Sequence, residues 1–271
     1  MLATALTVAL LANFPGDNGR IAFHSPFGCD GSAIATVRTD GTGVRRLTAD
    51  PCETSSPRAL FPDWSANGRT IAYVSNGQIS IIRPGGAAVT VVPVTEPVAH
   101  RRPTLSPDGE QVAYVRFVDG HPTIFRARLD GTGERRLRRG TLPRWSPGGR
   151  NMMFLAPNGR VQVMRAATGR VFHRHHNFFA TGFDWRPDGH RMVFVSRGGD
   201  LFISLPKEPD TPRRLLRTRA RESSPVWSPD MEQIAFVRGR SIFTIDVSDR
   251  TVRRVLRTER GRPAISWQPR P

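Results

Sequence analysis

Lysine is almost missing from this chain. Of its 40 basic residues only Lys207 is lysine, and the other 39 are arginine. A surface built to grip nucleic acid normally draws on both. The formal net charge of +17 therefore reads first as the composition of a GC-rich genome, because net charge speaks to partners and solubility and not to fold. Long apolar runs are missing too. The one candidate, residues 1–12 (MLATALTVALLA), falls short of the about 20 residues that a membrane-spanning helix requires. With hydrophobic residues at 38%, a helical membrane protein is excluded. Stretches free of Gly and Pro are scarce, since 25 Gly and 23 Pro punctuate the chain. That excludes all-α and doubly wound α/β folds, whose helices need uninterrupted length. No G-x-S-x-G elbow is present, which excludes a serine hydrolase of that type. No Gly-rich loop opens into a helix, so a P-loop or dinucleotide site is excluded as well. Tyrosine and cysteine occur twice each.

Residues 1–12 match the apolar centre of a secretory signal peptide, although the usual basic leader is not there. The competing reading is an N-terminal strand or arm. The expectation is an exported protein with a leader over residues 1–12 and a single domain over residues 14–271.

What the chain has in abundance is repetition. A Trp, a tight turn and an apolar run ending in an aromatic recur as PDWSANGRTIAYVS, PTLSPDGEQVAYVR, PRWSPGGRNMMFLA, FDWRPDGHRMVFVS and PVWSPDMEQIAFVR. Trp64, Leu105 in place of a Trp, Trp145, Trp185, Trp227 and Trp267 follow one another at intervals of 40 to 42 residues. The aromatics Phe23, Tyr73, Tyr114, Phe154, Phe194 and Phe236 keep the same period after a first interval of 50. Two registers with one period near 40 mark a propeller blade. The S-P-D-G turn puts Pro at the second position and Gly at the fourth, as a type I turn prefers. Residues 240–260 lack Gly and Pro, but Ile242, Thr244, Ile245, Val247, Thr251, Val252 and Val255 favour two strands over a helix. The fold expected is all-β, a six-bladed propeller of four-stranded antiparallel blades. Residues 265–269 supply a strand to the N-terminal blade and so close the ring, which removes open sheet edges.

Repeats of the form W-S-P-D-G-x-x-I-A-F, with D-G-T before the outer strand (Asp40-Gly41-Thr42, Asp130-Gly131-Thr132), resemble the TolB-like, WD-repeat-like propeller family over essentially the whole chain after residue 14. The resemblance implies an exported, non-enzymatic module that binds or scaffolds a protein. The same repeat is similar to the gating propeller of prolyl oligopeptidases and to propeller lyases acting on oligogalacturonate. A polysaccharide hydrolase or lyase is therefore the alternative, although activity does not travel with a fold.

Four sets of residues are candidates for chemistry. Cys29 and Cys52 lie in connections that fall on one propeller face, so they pair as a disulfide or stand as two free thiols. His173 and His175, at i and i+2 in FHRHHNFF, point the same way on an extended segment and could share a metal. No Asp, Glu or Cys follows nearby to complete the set, and a solvated, Arg-rich loop is the plainer reading. Asp108, Asp188 and Asp230 sit in turns, where Asp caps local N–H groups. Finally, the connections from each fourth strand to the next first strand share one face. Over residues 49–62, 94–103, 138–144, 172–183, 216–225 and 256–263 they sum to +8 with His neutral, while the opposite turns count slightly negative. Arg101, Arg102, Arg138, Arg139, Arg174, Arg217, Arg219, Arg221, Arg260 and Arg262 line that face. The partner expected there is a protein or an anionic envelope component, with no cofactor and no specific nucleic acid.

Overall fold

The computed structural model describes residues 16–25, 31–49, 58–92, 101–204, 212–259 and 261–270. Among them there is no helix, and so none long and apolar enough to cross a membrane. The first sheet contains β1 (Asp17–Ser25), β2 (Ala33–Val37), β3 (Arg45–Arg46) and the last strand, β23 (Ile265–Arg270), in the order β23-β1-β2-β3. The second runs β4 (Ala59–Trp64), β5 (Ile71–Ser75), β6 (Gln78–Arg83) and β7 (Gly86–Val92). The third runs β8 (Arg101–Leu105), β9 (Gln111–Val118), β10 (His121–Arg128) and β11 (Arg135–Arg139). Next come β12 (Thr141–Trp145), β13 (Asn151–Leu155), β14 (Arg160–Arg165), β15 (Val171–Trp185), β16 (Met192–Ser196), β17 (Leu201–Ser204) and β18 (Arg213–Leu216), joined as one seven-stranded sheet. The last sheet is β19 (Glu222–Trp227), β20 (Gln233–Arg238), β21 (Ser241–Asp246) and β22 (Val252–Arg257). Every recorded pairing is antiparallel, including Ile21↔Trp267 and Phe23↔Ile265 between β1 and β23.

The seven-stranded sheet corrects one expectation. Residues 172–183 do not form a solvated loop. The first part of β15 pairs with β14 (Val163↔His173) and its last part with β16 (Phe183↔Phe194), so a single strand passes from one sheet into the next. The physical reason is sequence: this link contains one Gly and no Pro between Val171 and Trp185, and its Val and Phe residues suit a strand. Arg138 and Arg139 likewise belong to β11 and not to the link after it.

The period-2 side-chain alternation of strands explains the core. Each strand that follows a Trp turn is apolar at consecutive positions because a sheet covers each of its faces. Ala72 joins a cluster with Val112 and Tyr114 of the third sheet, while its neighbour Tyr73 joins one with Ala22 and Ile34 of the first. Met153 and Phe154 divide in the same way, as do Ala235 and Phe236. The repeat aromatics Phe23, Tyr73, Tyr114, Phe154, Phe194 and Phe236 are all buried. Each contributes about 1.5–3 kcal/mol of apolar burial.

The turns hold the expected capping. Gly68, Gly109 and Gly149 donate their N–H groups to the carbonyls of Ser65, Ser106 and Ser146 at 2.9 Å. Asp108, Asp188 and Asp230 accept the N–H groups of Glu110, His190 and Glu232 at 3.0, 2.9 and 3.0 Å.

Candidate functional site

The first strand after each link faces a shared axial cavity of about 100 Å³. Its wall is built from β4, β8, β12, the end of β15, β19 and β23, and from the prolines of the following turns. These strands contact one another in the order β4, β8, β12, β15, β19, β23, with β23 also against β4. The residue preceding each repeat Trp (or Leu105) lines the cavity: Asp63, Thr104, Arg144, Asp184, Val226 and Ser266.

Three of the six are charged and meet there. Arg144 Nη1 lies 3.0 Å from Asp63 Oδ1, and Arg144 Nε lies 4.0 Å from Asp184 Oδ1. The second oxygens hold the scaffold. Asp63 Oδ2 accepts the Leu105 N–H at 3.1 Å, and Asp184 Oδ2 accepts the Trp227 N–H at 3.0 Å. Ser266 Oγ does the same for Trp64 at 2.9 Å. Inner-strand N–H groups with no ladder partner are thus satisfied by side chains of the preceding strand. Burial pushes both carboxyls up. Asp63 rises despite Arg144, and Asp184 rises to about 7, with desolvation outweighing Arg144 and the Asp63 charge adding to it.

A second feature sits at one mouth of the cavity. Three residues before the repeat Trp or Leu, the backbone turns left-handed at Phe61 (φ 56°), Arg102 (φ 55°), Leu142 (φ 55°) and Ser224 (φ 49°). The pairing register shifts at the same four places. These are β-bulges, which bend an edge and re-aim a side chain. Phe61, Arg102, Ser224 and Ala264 there surround a small cavity together with Arg144. The Arg102 guanidinium lies 5.3 Å over the Phe61 ring, and His24 meets the same ring edge-on at 5.6 Å. His24 Nδ1 accepts the Ala264 N–H at 3.1 Å, and burial followed by the Arg102 charge lowers its pKa to about 4. Neither the axial charges nor the bulges were expected from the sequence. The signal was there as the residue one or three places before each repeat Trp, read as part of a strand and not as a ring of facing positions.

The sequence candidates are spread more widely. Arg102 is at the mouth. Arg138 and Arg139 are exposed on β11, Arg217, Arg219 and Arg221 are exposed between β18 and β19, and Arg262 is exposed just before β23. Arg101 begins β8 and Arg174 lies within β15, with their side chains outside the described set, as is Arg260 altogether. Cys29 and Cys52, residues 1–15, and the His175 side chain also lie outside the described residues. His173 is half-buried on β15. Among the described residues no cluster of three His, Cys, Asp or Glu forms a metal site.

With this geometry in hand, the comparisons are informative about fold. TolB from Acinetobacter baumannii superposes with a TM-score of 0.79 at 21% identity, over 96% of this chain and 69% of that one. The fold is a β-propeller of the TolB-like, WD-repeat-like kind. A chain of the nidogen/laminin complex gives a TM-score of 0.72 at 12% identity, over 92% of this chain and 98% of that one. The β-propeller domain of Myceliophthora thermophila Cps50 (Swd1) gives 0.59 at 16% identity, over 90% of this propeller and 96% of that one. No protein-family model and no curated protein matches the sequence.

Proposed function

We propose that this propeller is a non-enzymatic, exported binding module. Its sheets make six blades, with β23 completing the first and the two parts of β15 serving the fourth and fifth. The cyclic contacts of the six inner strands support this count. The docking surface is the face that carries the links into each inner strand. The observation behind it is charge placement. Arg217, Arg219, Arg221 and Arg262 are exposed in those links and Arg138 and Arg139 at the end of β11 that leads into one, whereas the turn carboxylates Asp108, Asp188 and Asp230 are occupied by local N–H groups. The partner is a protein or an anionic envelope component, met through complementary charge. Export rests on the apolar leader and on the resemblance to the TolB-like family.

The test is capture from envelope fractions with the full chain as bait. The Arg138→Glu/Arg139→Glu/Arg217→Glu/Arg219→Glu variant should lose the captured component, and wild-type capture should weaken as salt rises. Equal capture by both proteins overturns the assignment.

One observation favours the second reading, a polysaccharide hydrolase or lyase: two carboxyls share the axial cavity, one with a pKa near neutrality. Against it, each carboxylate already holds a strand N–H, no histidine among the described residues lines the cavity, and about 100 Å³ holds a few waters and not a sugar ring.

A further inference from the structure

A separate groove opens between the third sheet and the first strands of the seven-stranded sheet. It has a volume of about 440 Å³ and lies on the face opposite the proposed docking surface. Its walls carry three arginines, Arg126, Arg150 and Arg165, with Gln111 and the Trp145 ring, and among the described residues no carboxylate lines it. Arg165 also donates to Asn151 Oδ1 at 3.0 Å and lies 4.6 Å over the Phe172 ring.

Arg126 stands where the repeat places another kind of residue. It pairs with Ala113, one position before the repeat aromatic Tyr114. The same position is Thr36 in the first sheet, Ile81 in the second, Val163 and Ile203 on β14 and β17, and Thr244 in the last. A strand position that is aliphatic or Thr five times, and buried in four of them, is therefore charged once. Gln111 Oε1 accepts from Arg126 Nη1 and so orients the fork. Nη2 reaches the Ala167 carbonyl at 3.5 Å, and among the described residues the buried Nε–H has no partner. Burial, with Arg135 and Arg128 nearby, lowers the Arg126 pKa, a sign of a cation short of compensating charge.

The facing sheet has also lost its acids here. The turn Ser146-Pro147-Gly148-Gly149 has Gly where Asp108, Asp188 and Asp230 stand in the equivalent turns. The turn Ala166-Ala167-Thr168-Gly169 lacks the Asp that opens Asp40-Gly41-Thr42-Gly43 and Asp130-Gly131-Thr132-Gly133. Three arginines thus line one groove on a face whose turns otherwise count slightly negative. The Trp145 indole N–H is already used by the Thr104 carbonyl at 3.2 Å, so the tryptophan offers the groove a flat apolar wall.

We propose that this inter-sheet groove binds a polyvalent oxyanion, a phosphate or carboxylate ligand of at least two negative charges, gripped by Arg126, Arg150 and Arg165 against Trp145. Arginine forks match such oxygens with two parallel bonds, and bonds between charged partners are about twice as strong as neutral ones.

Isothermal titration of the full chain at low salt, with inorganic pyrophosphate in one arm and citrate in the other, tests this. Saturable one-to-one binding of pyrophosphate alone identifies a phosphate site, and binding of citrate alone a carboxylate site. Arg150→Gln, an exposed turn residue, should weaken binding about tenfold. Arg126→Ile should abolish binding while leaving the thermal midpoint equal to or above that of the wild type, since five other strands accept Ile, Val or Thr there. The charge-matched control Arg254→Gln, on exposed β22, should bind as the wild type does. The proposal is overturned if neither anion binds, if the control loses as much affinity as Arg150→Gln, or if Arg150→Gln binds unchanged.

Discussion

Arg144 Nη1 stands 3.0 Å from Asp63 Oδ1, although the two residues are 81 positions apart and lie on β12 and β4, with β8 between them. The pair spans the axial cavity and touches inner strands that are not hydrogen-bonded to each other. Removing one member strands the other in a desolvated site. We expect Arg144→Met to cost about 1–3 kcal/mol at pH 8, below the range for fully enclosed pairs because both side chains keep some exposure. Urea denaturation measures it. Adding Asp63→Asn to Arg144→Met should recover part of the loss, and a further loss would contradict the pairing.

Asp184 makes stability fall with rising pH. Its carboxyl titrates at about 7 in the fold and near 3.9 when unfolded. Between those values the folded chain holds a proton that the unfolded chain has released. The contribution is therefore complete below pH 4 and gone above pH 7, and it amounts to a few kcal/mol at most. Asp184→Asn should flatten the drop in urea midpoint between pH 5 and pH 8; an unchanged slope would show that another group titrates.

His24 acts in the opposite sense. Its pKa falls from 6.5 to about 4 on folding, so below pH 6.5 the unfolded chain takes up a proton that the folded chain refuses. Stability from this group is full above pH 6.5 and declines by about 2–3 kcal/mol as pH falls toward 4. His24→Gln should remove that acid limb. The direct check is an NMR titration, where the His24 ring signals should stay unshifted down to about pH 5.

The left-handed bulge position offers a test by backbone alone. Ser224 has φ 49°, a left-handed value that glycine adopts without steric cost. Ser224→Gly should leave stability unchanged or raise it by up to about 1 kcal/mol, and Ser224→Val should lower it by more than that. Thermal melts of both variants decide the matter.

Gly68 governs how the last strand seats. Its φ is +64°, and a Cβ there would lie 1.9 Å from the Pro269 carbonyl oxygen, beside the 2.8 Å bond from Gln268 Nε2 to the Gly68 carbonyl. Gly68→Ala should destabilise the chain by more than about 1 kcal/mol and speed amide exchange in β23, as hydrogen-exchange mass spectrometry would show.

The repeat was legible because Trp64, Trp145, Trp185, Trp227 and Trp267 and the buried aromatics carry the apolar surface, and apolar surface imposes a period. The joint near Ser248 and Asp249 was legible for the same reason, since β-branched residues on either side exclude a helix. The axial charges were not. Asp63, Arg144 and Asp184 each look like an ordinary polar neighbour of a Trp, and only the ring arrangement brings them within reach of one another. The continuous β15 also escaped, because a histidine- and arginine-rich stretch reads as solvated unless strands on both sides are known to need it. Arg126 was hidden for the converse reason: one charged residue among 40 basic residues stands out only after register aligns it with Ile81, Val163 and Ile203.

The pairing of β1 with β23 sets an order of events during synthesis. Ile21 leaves the ribosome first, and its partner Trp267 follows 246 residues later. At roughly 5–20 residues per second, that delay is on the order of 12–50 s. Throughout it, the Ile21 and Phe23 surface that Ile265 and Trp267 later cover is open, and one edge of β1 has nothing to bind. Nascent chains are therefore exposed to self-association for the whole translation time, and a chain stopped before residue 265 would carry that exposed edge permanently.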